Sequence, residues 1–304
     1  MSQSRRQFLA ASAAAFVAKP IRSQEAAAAT SMLETVPSDI VSGSAGNDPW
    51  VEVDANAIRH NVAEISRLCG RRPILAVVKN NAYGLGLTTV GPILDALDGV
   101  AGLAVVKTDQ AIALRDSGVT KPVLLMGLFT EQDGPELVDR GIQLAPYTEE
   151  AGDALAQLAR RSGRRIPVQI YLDTGMGRLG VSFRHAPQWI AELASQGSVE
   201  FRGMFSALTE EDDFDPIQVT RFQEVARTAK SGGVELGPLH VVSSHGVFFR
   251  PTSFLDMVRP GLVLYGAYPA GGRILEAANL RPAFRLRARV VRVERLEPGD
   301  GVSY

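Results

Sequence analysis

The feature that most constrains the fold is a repeated alternation of short apolar runs with amphipathic helical patterns. The run ILAVV, at residues 74–78, is continuous, which is typical of a strand buried on both faces. Similar runs follow along the chain: GLAVV, PVLLMG, IQLAP, PVQIYLD, EFRGMF, LHVVSS and MVRPGLVLYG. Helices are predicted between them, at residues 57–69, 111–117, 136–140, 149–161, 187–195 and 217–231.

Strands separated by helices favour a parallel sheet. About eight such units within roughly 220 residues predict a (β/α)8 TIM-type barrel, which is α/β in class. We place this barrel at residues 47–272, with WVEVDA as its opening strand. A doubly wound open sheet is the alternative, but such sheets usually carry a G-x-G-x-x-G turn, and the sequence has none.

The pattern changes after residue 272. Phe284, Leu286, Ala288 and Val290 alternate with arginines, which is typical of an antiparallel strand with one polar face. One strand and the start of another cannot form a stable sheet by themselves. Residues 273–304 are therefore expected either to dock elsewhere or to be the start of a mainly β C-terminal domain that is truncated here.

The N-terminus has the order of a secretory signal. SRRQFLAASAAAFVA places paired arginines before a mild apolar run, and a low-complexity QEAAAAT follows. The order resembles a twin-arginine signal, so residues 1–29 predict export to the periplasm. Residues 30–46 are expected to be a linker. The apolar run is too short for a stable membrane anchor. A disordered basic tail is the alternative.

Composition excludes several classes of function. The chain has 304 residues and a net charge of −1, with no basic stripe, which argues against nucleic acid as a partner. Its one cysteine, Cys69, excludes an intrachain disulfide and a thiolate zinc cluster, so no metal site is expected.

Lys79 is the most informative polar residue, because it directly follows the apolar run ILAVV. The active face of a barrel lies where its strands end. Burial there lowers the pKa of a lysine and makes its amine a nucleophile, as in enzymes that hold pyridoxal phosphate. The alternative is a lysine that extends to solvent from a strand end.

Five motifs, in order, give the chain a specific resemblance. AVVKNNAYGLG, at residues 76–86, resembles the pyridoxal-phosphate signature of the alanine racemase family. The others are VEVDANAIRHNV, LDTGMGRLG, VRPGLVLYGAYP and GDGVSY. The resemblance runs from about residue 50 to residue 304, and ordered motifs are more specific than any single one.

The resemblance implies a set of roles at the cofactor. Lys79 would hold pyridoxal 5'-phosphate covalently and act as a base on one face of the substrate Cα. Tyr83 would reach the phosphate with its hydroxyl. Ser244 and the backbone at Gly261 and Leu262 would cradle that phosphate, in agreement with the usual phosphate position in such barrels.

The remaining implied roles concern the ring and the substrate. Arg178 would lie near the phenolic oxygen of the cofactor and, with Met176, contact the substrate. Arg259 would face the pyridine nitrogen, and since an arginine stays protonated it could only donate to it. Tyr304, from the other subunit of a homodimer, would be the second base.

Three departures from the family pattern stand out. Ala207 occupies the position of a histidine that stacks on the pyridine ring, and His245 is the nearest conspicuous imidazole in the sequence. Tyr171 replaces a lysine that often precedes the Asp-Thr-Gly motif. Tyr304 is the last residue, and a terminal residue normally frays, so it is expected to be poorly positioned.

These features predict an exported, pyridoxal-phosphate-dependent isomerase that interconverts L- and D-alanine, or a broader set of amino acids, by two-base proton exchange. A catalytically impaired or inactive pyridoxal-phosphate-binding remnant of such a racemase is the first alternative. A single-domain carrier of pyridoxal phosphate is the second, although such a protein has no use for the strand pattern at residues 283–296.

Overall fold

The computed structural model describes the backbone of Ile40–Ser42 and residues 49–269 and 278–303. The chain divides into two units, residues 1–38 and 39–304, and every described residue lies in the second. The predicted signal at residues 1–29, most of the expected linker and Tyr304 lie outside the described residues. Within the described ranges, no helix is both long enough and apolar enough to cross a membrane.

The described strands are β1 (Ile40–Ser42), β2 (Trp50–Asp54), β3 (Ile74–Val77), β4 (Val100–Val105), β5 (Val123–Leu125), β6 (Ile142–Leu144), β7 (Ile166–Asp173), β8 (Val181–Ser182), β9 (Val199–Phe205), β10 (Leu239–His240) and β11 (Phe284–Arg287). The helices between them are α1 (Ala55–Leu68), α2 (Lys79–Tyr83), α3 (Leu87–Asp95), α4 (Thr108–Asp116), α5 (Gly134–Asp139), α6 (Ala151–Ser162), α7 (Ala186–Ser195), α8 (Asp215–Ser231) and α9 (Ser244–Phe249). Short 3₁₀ helices cover Pro251–Ser253 and Leu262–Tyr265.

A parallel sheet forms the barrel, in the order β10-β9-β7-β6-β5-β4-β3. Residues 257–260 close it between β10 and β3. The amide of Leu75 donates to the carbonyl of Val258 at 2.9 Å, and the amide of Arg259 donates to the carbonyl of Val242 at 2.8 Å. The predicted TIM-type barrel is thus confirmed.

The strands of the barrel are buried on both faces, as their apolar runs predicted. Every residue of β3 is buried. Ile74 and Ala76 pack toward the helices, whereas Leu75 and Val77 join a small cluster inside the barrel. The inner cluster consists of Leu75, Val77, Ala104, Leu124, Ala145, Tyr171 and Phe205. A filled interior confines any ligand site to the ends of the strands.

The helices begin and end within about three residues of the positions predicted from their apolar spacing. The helix expected at residues 57–69 is α1, which begins after Asp54, whose carboxylate accepts from the amide of Ala57 at 2.9 Å. A side chain that caps the first amides in this way marks the start of a helix in the sequence itself.

A second, antiparallel sheet corrects two sequence-based expectations. Its order is β1-β2-β11. The strand Trp50–Asp54, expected to open the barrel, instead pairs with Phe284–Arg287 across the expected domain boundary. The expected linker at residues 30–46 contains β1, which pairs with β2. The polar-alternating segment therefore docks on the strand that precedes α1.

Candidate active site

Lys79 stands at the carboxyl end of β3, as its place in the sequence predicted. Its side chain is half-buried, and its Nζ lies 6.0 Å from the centroid of the Tyr83 ring. Burial, and then the positive charges of Arg178 and Arg259, lower the pKa of Lys79. An amine in such surroundings loses its proton more readily than a lysine in water, which makes it a better nucleophile and base.

The turn after Lys79 has an uncommon backbone. Asn80, Asn81, Ala82 and Tyr83 have φ values of 54°, 56°, 53° and 57°, so they form one left-handed turn. This region costs most residues about 1–2 kcal/mol each, although asparagine tolerates it better. The Asn81 side chain accepts from the amide of Leu87 at 2.7 Å and thereby ties the turn to α3. Strain of this kind concentrates at functional sites.

The turn brings Tyr83 against the loop that follows the closing strand. The amide of Gly261 donates to the Ser244 hydroxyl at 2.9 Å. A β-carbon on residue 261 would overlap the Tyr83 hydroxyl and stand 3.0 Å from Tyr83 Cζ. Tyr83, Ser244 and Gly261 thus converge on one place, although they lie far apart in the sequence.

The other residues predicted for the site lie in the loops around the contact between Tyr83 and Gly261. Leu262 begins a 3₁₀ helix beside Gly261 and is partly exposed. Arg178 is exposed in the loop between β7 and β8, near enough to Lys79 and Arg259 to lower the pKa of both. Met176 lies in the same loop and is half-buried. The Asp173 carboxylate supports this loop by accepting from the amide of Gly175 at 2.9 Å.

Arg259 is buried, near enough to Lys79 for its charge to lower the pKa of that lysine. Its Nη1 donates to His240 Nδ1 at 2.8 Å, and its Nη2 donates to the carbonyl of Ser206 at 2.6 Å. Its guanidinium lies over the Phe205 ring, 5.0 Å from the centroid. Burial lowers the pKa of Arg259 to about 10, so it keeps its charge at neutral pH.

Comparison with known proteins identifies the family. Residues 53–269 match the family model described as alanine racemase, N-terminal domain. This chain belongs to the alanine racemase family. The alanine racemase of Methanococcus maripaludis is 31% identical over 261 residues, which cover 84% of this chain and 70% of that protein.

Two solved structures extend the family assignment to the fold. The alanine racemase of Clostridium difficile 630 superposes with a TM-score of 0.80 at 28% identity, covering 86% of this chain and 70% of that one. The histidine racemase of Leuconostoc mesenteroides subsp. sake NBRC 102480 superposes with a TM-score of 0.77 at 26% identity, covering 86% and 71%. The chain is thus a racemase-family isomerase by resemblance.

The site fits the cofactor that the family implies. Lys79, Arg178 and Arg259 form no ion pair with an acidic side chain in the described part of the chain, so their charges remain for an anionic ligand. The Tyr83 hydroxyl lies against the Gly261 backbone where a β-carbon would otherwise stand, and the Ser244 hydroxyl accepts from the Gly261 amide at 2.9 Å. Two hydroxyls that can each donate a hydrogen bond suit a phosphate.

The structure also places residues that sequence reasoning missed. The imidazole beside Arg259 belongs to His240, whereas His245 packs on the Phe249 ring, with centroids 4.5 Å apart. Tyr171, at the position of the family lysine, stacks on Phe205 with centroids 4.5 Å apart. His240 interrupts an apolar run in LHVVSS, and that interruption is the signal by which the sequence could have marked it.

Proposed function

We propose that this protein binds pyridoxal 5'-phosphate at Lys79 and interconverts the enantiomers of an amino acid, with alanine as the first candidate. One observation carries the proposal. The half-buried Lys79 amine lies among cationic side chains at the active end of the barrel, and Tyr83, Ser244 and Gly261 converge at the same end. The names of the relatives support alanine, and the histidine racemase neighbour supports a test of histidine as well.

The cofactor, when bound, withdraws electrons from the amino acid and so acidifies its Cα proton. Lys79 would remove or return this proton on one face, and the lowered pKa of its amine suits that task. Arg259 can only donate a hydrogen bond, so it would limit protonation of the ring nitrogen. Tyr304 stays the predicted base for the opposite face.

Absorbance tests cofactor binding at Lys79, and isotope exchange tests proton transfer at the substrate Cα. The purified chain with pyridoxal phosphate should show a visible band that Lys79→Ala lacks. The loaded protein should then exchange the Cα proton of L-alanine in deuterated water, and the same assay is run with L-histidine as a second substrate. Absence of the band in the wild-type protein would contradict cofactor binding at Lys79.

Cofactor binding without turnover is the second candidate, and Ala207 favours it. Ala207 follows β9, and its side chain is only partly buried against the inner cluster. It cannot supply the imidazole that the family resemblance places on the cofactor ring. A band without exchange in the wild-type protein, together with exchange gained in Ala207→His, would support this candidate.

We also propose that the protein is exported through the twin-arginine pathway. The support is the order of Arg5, Arg6, Phe8 and Leu9 before an apolar run. Replacing both arginines by lysine should retain the protein in the cytoplasm when the cells are fractionated. Unchanged export of that double variant would exclude this pathway.

We propose a homodimer as the assembled form. Leu286, Val291 and Val293, which follow or lie in β11, are 72%, 92% and 88% exposed, and an apolar exposed segment suits an interface. Light scattering should give twice the 32.6 kDa chain mass. A single-chain mass at micromolar concentration would exclude a stable dimer.

A further inference from the structure

A run of buried polar side chains crosses the barrel interior behind Arg259. His240 Nε2 lies 2.9 Å from Gln169 Oε1, and Gln169 Nε2 donates to Gln143 Oε1 at 2.6 Å. Gln169, His240 and Arg259 are 4%, 0% and 7% exposed, in an interior otherwise filled by apolar groups. Buried polar groups of this kind are costly unless each has a partner.

The donor and acceptor properties of these side chains fix the direction of each hydrogen bond in the run. An arginine has no acceptor, so the Nδ1 atom of His240 must accept the bond from Arg259. A neutral imidazole that accepts at Nδ1 carries its proton at Nε2 and donates it to the Gln169 carbonyl. The Gln169 amide group then faces Gln143 as a donor, and every bond in the run points away from Arg259.

The imidazole is also held in its plane. The rings of His240 and Phe205 are 5.5 Å apart and only 9° from parallel, and Phe205 lies under the Arg259 guanidinium as well. A rotation of the His240 ring would break bonds to Arg259 and to Gln169 together. Gln169 is the one hydrogen-bond partner of the His240 Nε2 atom among the described residues.

We propose that Gln169, held by Gln143, is a positioning residue that fixes His240 as the Nε2–H tautomer and so keeps Arg259 aimed at the active end of the barrel. The part that concerns a cofactor rests on the proposed function, whereas the part that concerns the tautomer does not. Among the described residues, the Gln169 side chain forms hydrogen bonds with His240 and Gln143 and none with Lys79 or Gly261, so we expect it to act through His240.

Nitrogen-15 spectra of the histidine rings in the cofactor-free full chain test the proposal directly. The chain has four histidines, which single substitutions assign. His240 should show one neutral tautomer with the proton on Nε2. In Gln169→Met, which keeps the length but removes the acceptor, these signals should shift or split. Gln169→Glu, which retains an acceptor oxygen, should restore the Nε2–H pattern.

Gln218→Met is the matched control. Gln218 is a fully buried amide that bonds to Thr174 and Thr209 rather than to His240, so its loss should leave the His240 signals unchanged. A second readout is the dissociation constant of pyridoxal phosphate, which should rise by about tenfold in Gln169→Met, as for loss of one buried hydrogen bond between neutral groups.

Two results would overturn the proposal. One is a wild-type His240 with its proton on Nδ1, and the other is a Gln169→Met spectrum identical to that of the wild type. Neither measurement requires cofactor, so both stay decisive if the protein binds no pyridoxal phosphate. The wild-type measurement also requires no variant, so it stays decisive if Gln169→Met folds poorly. Failure of the proposed function would instead appear as a missing visible band with the Nε2–H tautomer intact.

Discussion

The Tyr83 hydroxyl lies directly against the backbone of Gly261, although the residues belong to different strand-end loops of the barrel. Tyr83 reaches this position because the residues after Lys79 turn in a left-handed sense. Gly261 permits this close approach because glycine has no β-carbon. The contact joins the first strand of the barrel to its closing segment at the place where a phosphate is expected.

Gly261→Ala should weaken cofactor binding more than it weakens the fold. The added methyl group would overlap the Tyr83 hydroxyl, which lies against the Gly261 backbone. The partly exposed phenol can swing away, and we expect about tenfold weaker binding of pyridoxal phosphate, or ~1.4 kcal/mol.

Gly99→Ala is the control for Gly261→Ala, because its nearest neighbour would be Val62 Cγ1 at 3.7 Å, an ordinary contact. Titration with pyridoxal phosphate, monitored by absorbance, measures the affinity of both variants for the cofactor. Adding Tyr83→Phe to Gly261→Ala should cost less than the sum of the single effects, since both act on one hydroxyl. Full additivity would show that Tyr83 does not mediate the effect.

The Lys79 amine should react at lower pH than a free lysine side chain. Burial and the charges of Arg178 and Arg259 lower its pKa, so the reactive neutral amine predominates at a lower pH. Labelling with an amine reagent, followed by peptide mass analysis across pH, should give a midpoint below that of N-acetyl-lysine. Arg178→Gln should move the midpoint upward in part, and a midpoint equal to the model compound would contradict the expectation.

Asn81→Ala should destabilise the fold by about 2 kcal/mol, because alanine tolerates a positive φ poorly and provides no acceptor for the Leu87 amide. Asn81→Asp is the matched control, since aspartate keeps an acceptor and also tolerates this region. Urea unfolding measures the difference. Equal stability of the two variants would mean that the turn relaxes in solution.

Tyr265→Phe should increase the free energy of unfolding by about 1 kcal/mol. The Tyr265 hydroxyl is buried without a hydrogen-bond partner among the described residues, and burial raises its pKa. Tyr268→Phe should do the opposite, because the Tyr268 hydroxyl donates to Ala278 and accepts from Leu280 at 2.9 and 3.0 Å. A loss of stability in Tyr265→Phe would reveal a partner for this hydroxyl in solution.

The strands and helices of the barrel were predictable because their signals are local. The four residues of β3 are all apolar, and α1 carries its apolar residues at helical spacing after a capping aspartate. Lys79 was predictable as a candidate because a charged residue after a buried strand must lie at its end. Its role beside Tyr83, by contrast, came from the resemblance to a family.

The sequence by itself determined the alternation of strands and helices and the position of Lys79 at a strand end. Only the tertiary structure decided that Trp50–Asp54 pairs with Phe284–Arg287 and that His240 and Gln169 stand behind Arg259. Periodicity records which face of an element is buried, and that depends on neighbouring residues. Strand partners and buried hydrogen bonds depend on residues that are distant along the chain, and only the closed barrel brings them within bonding distance.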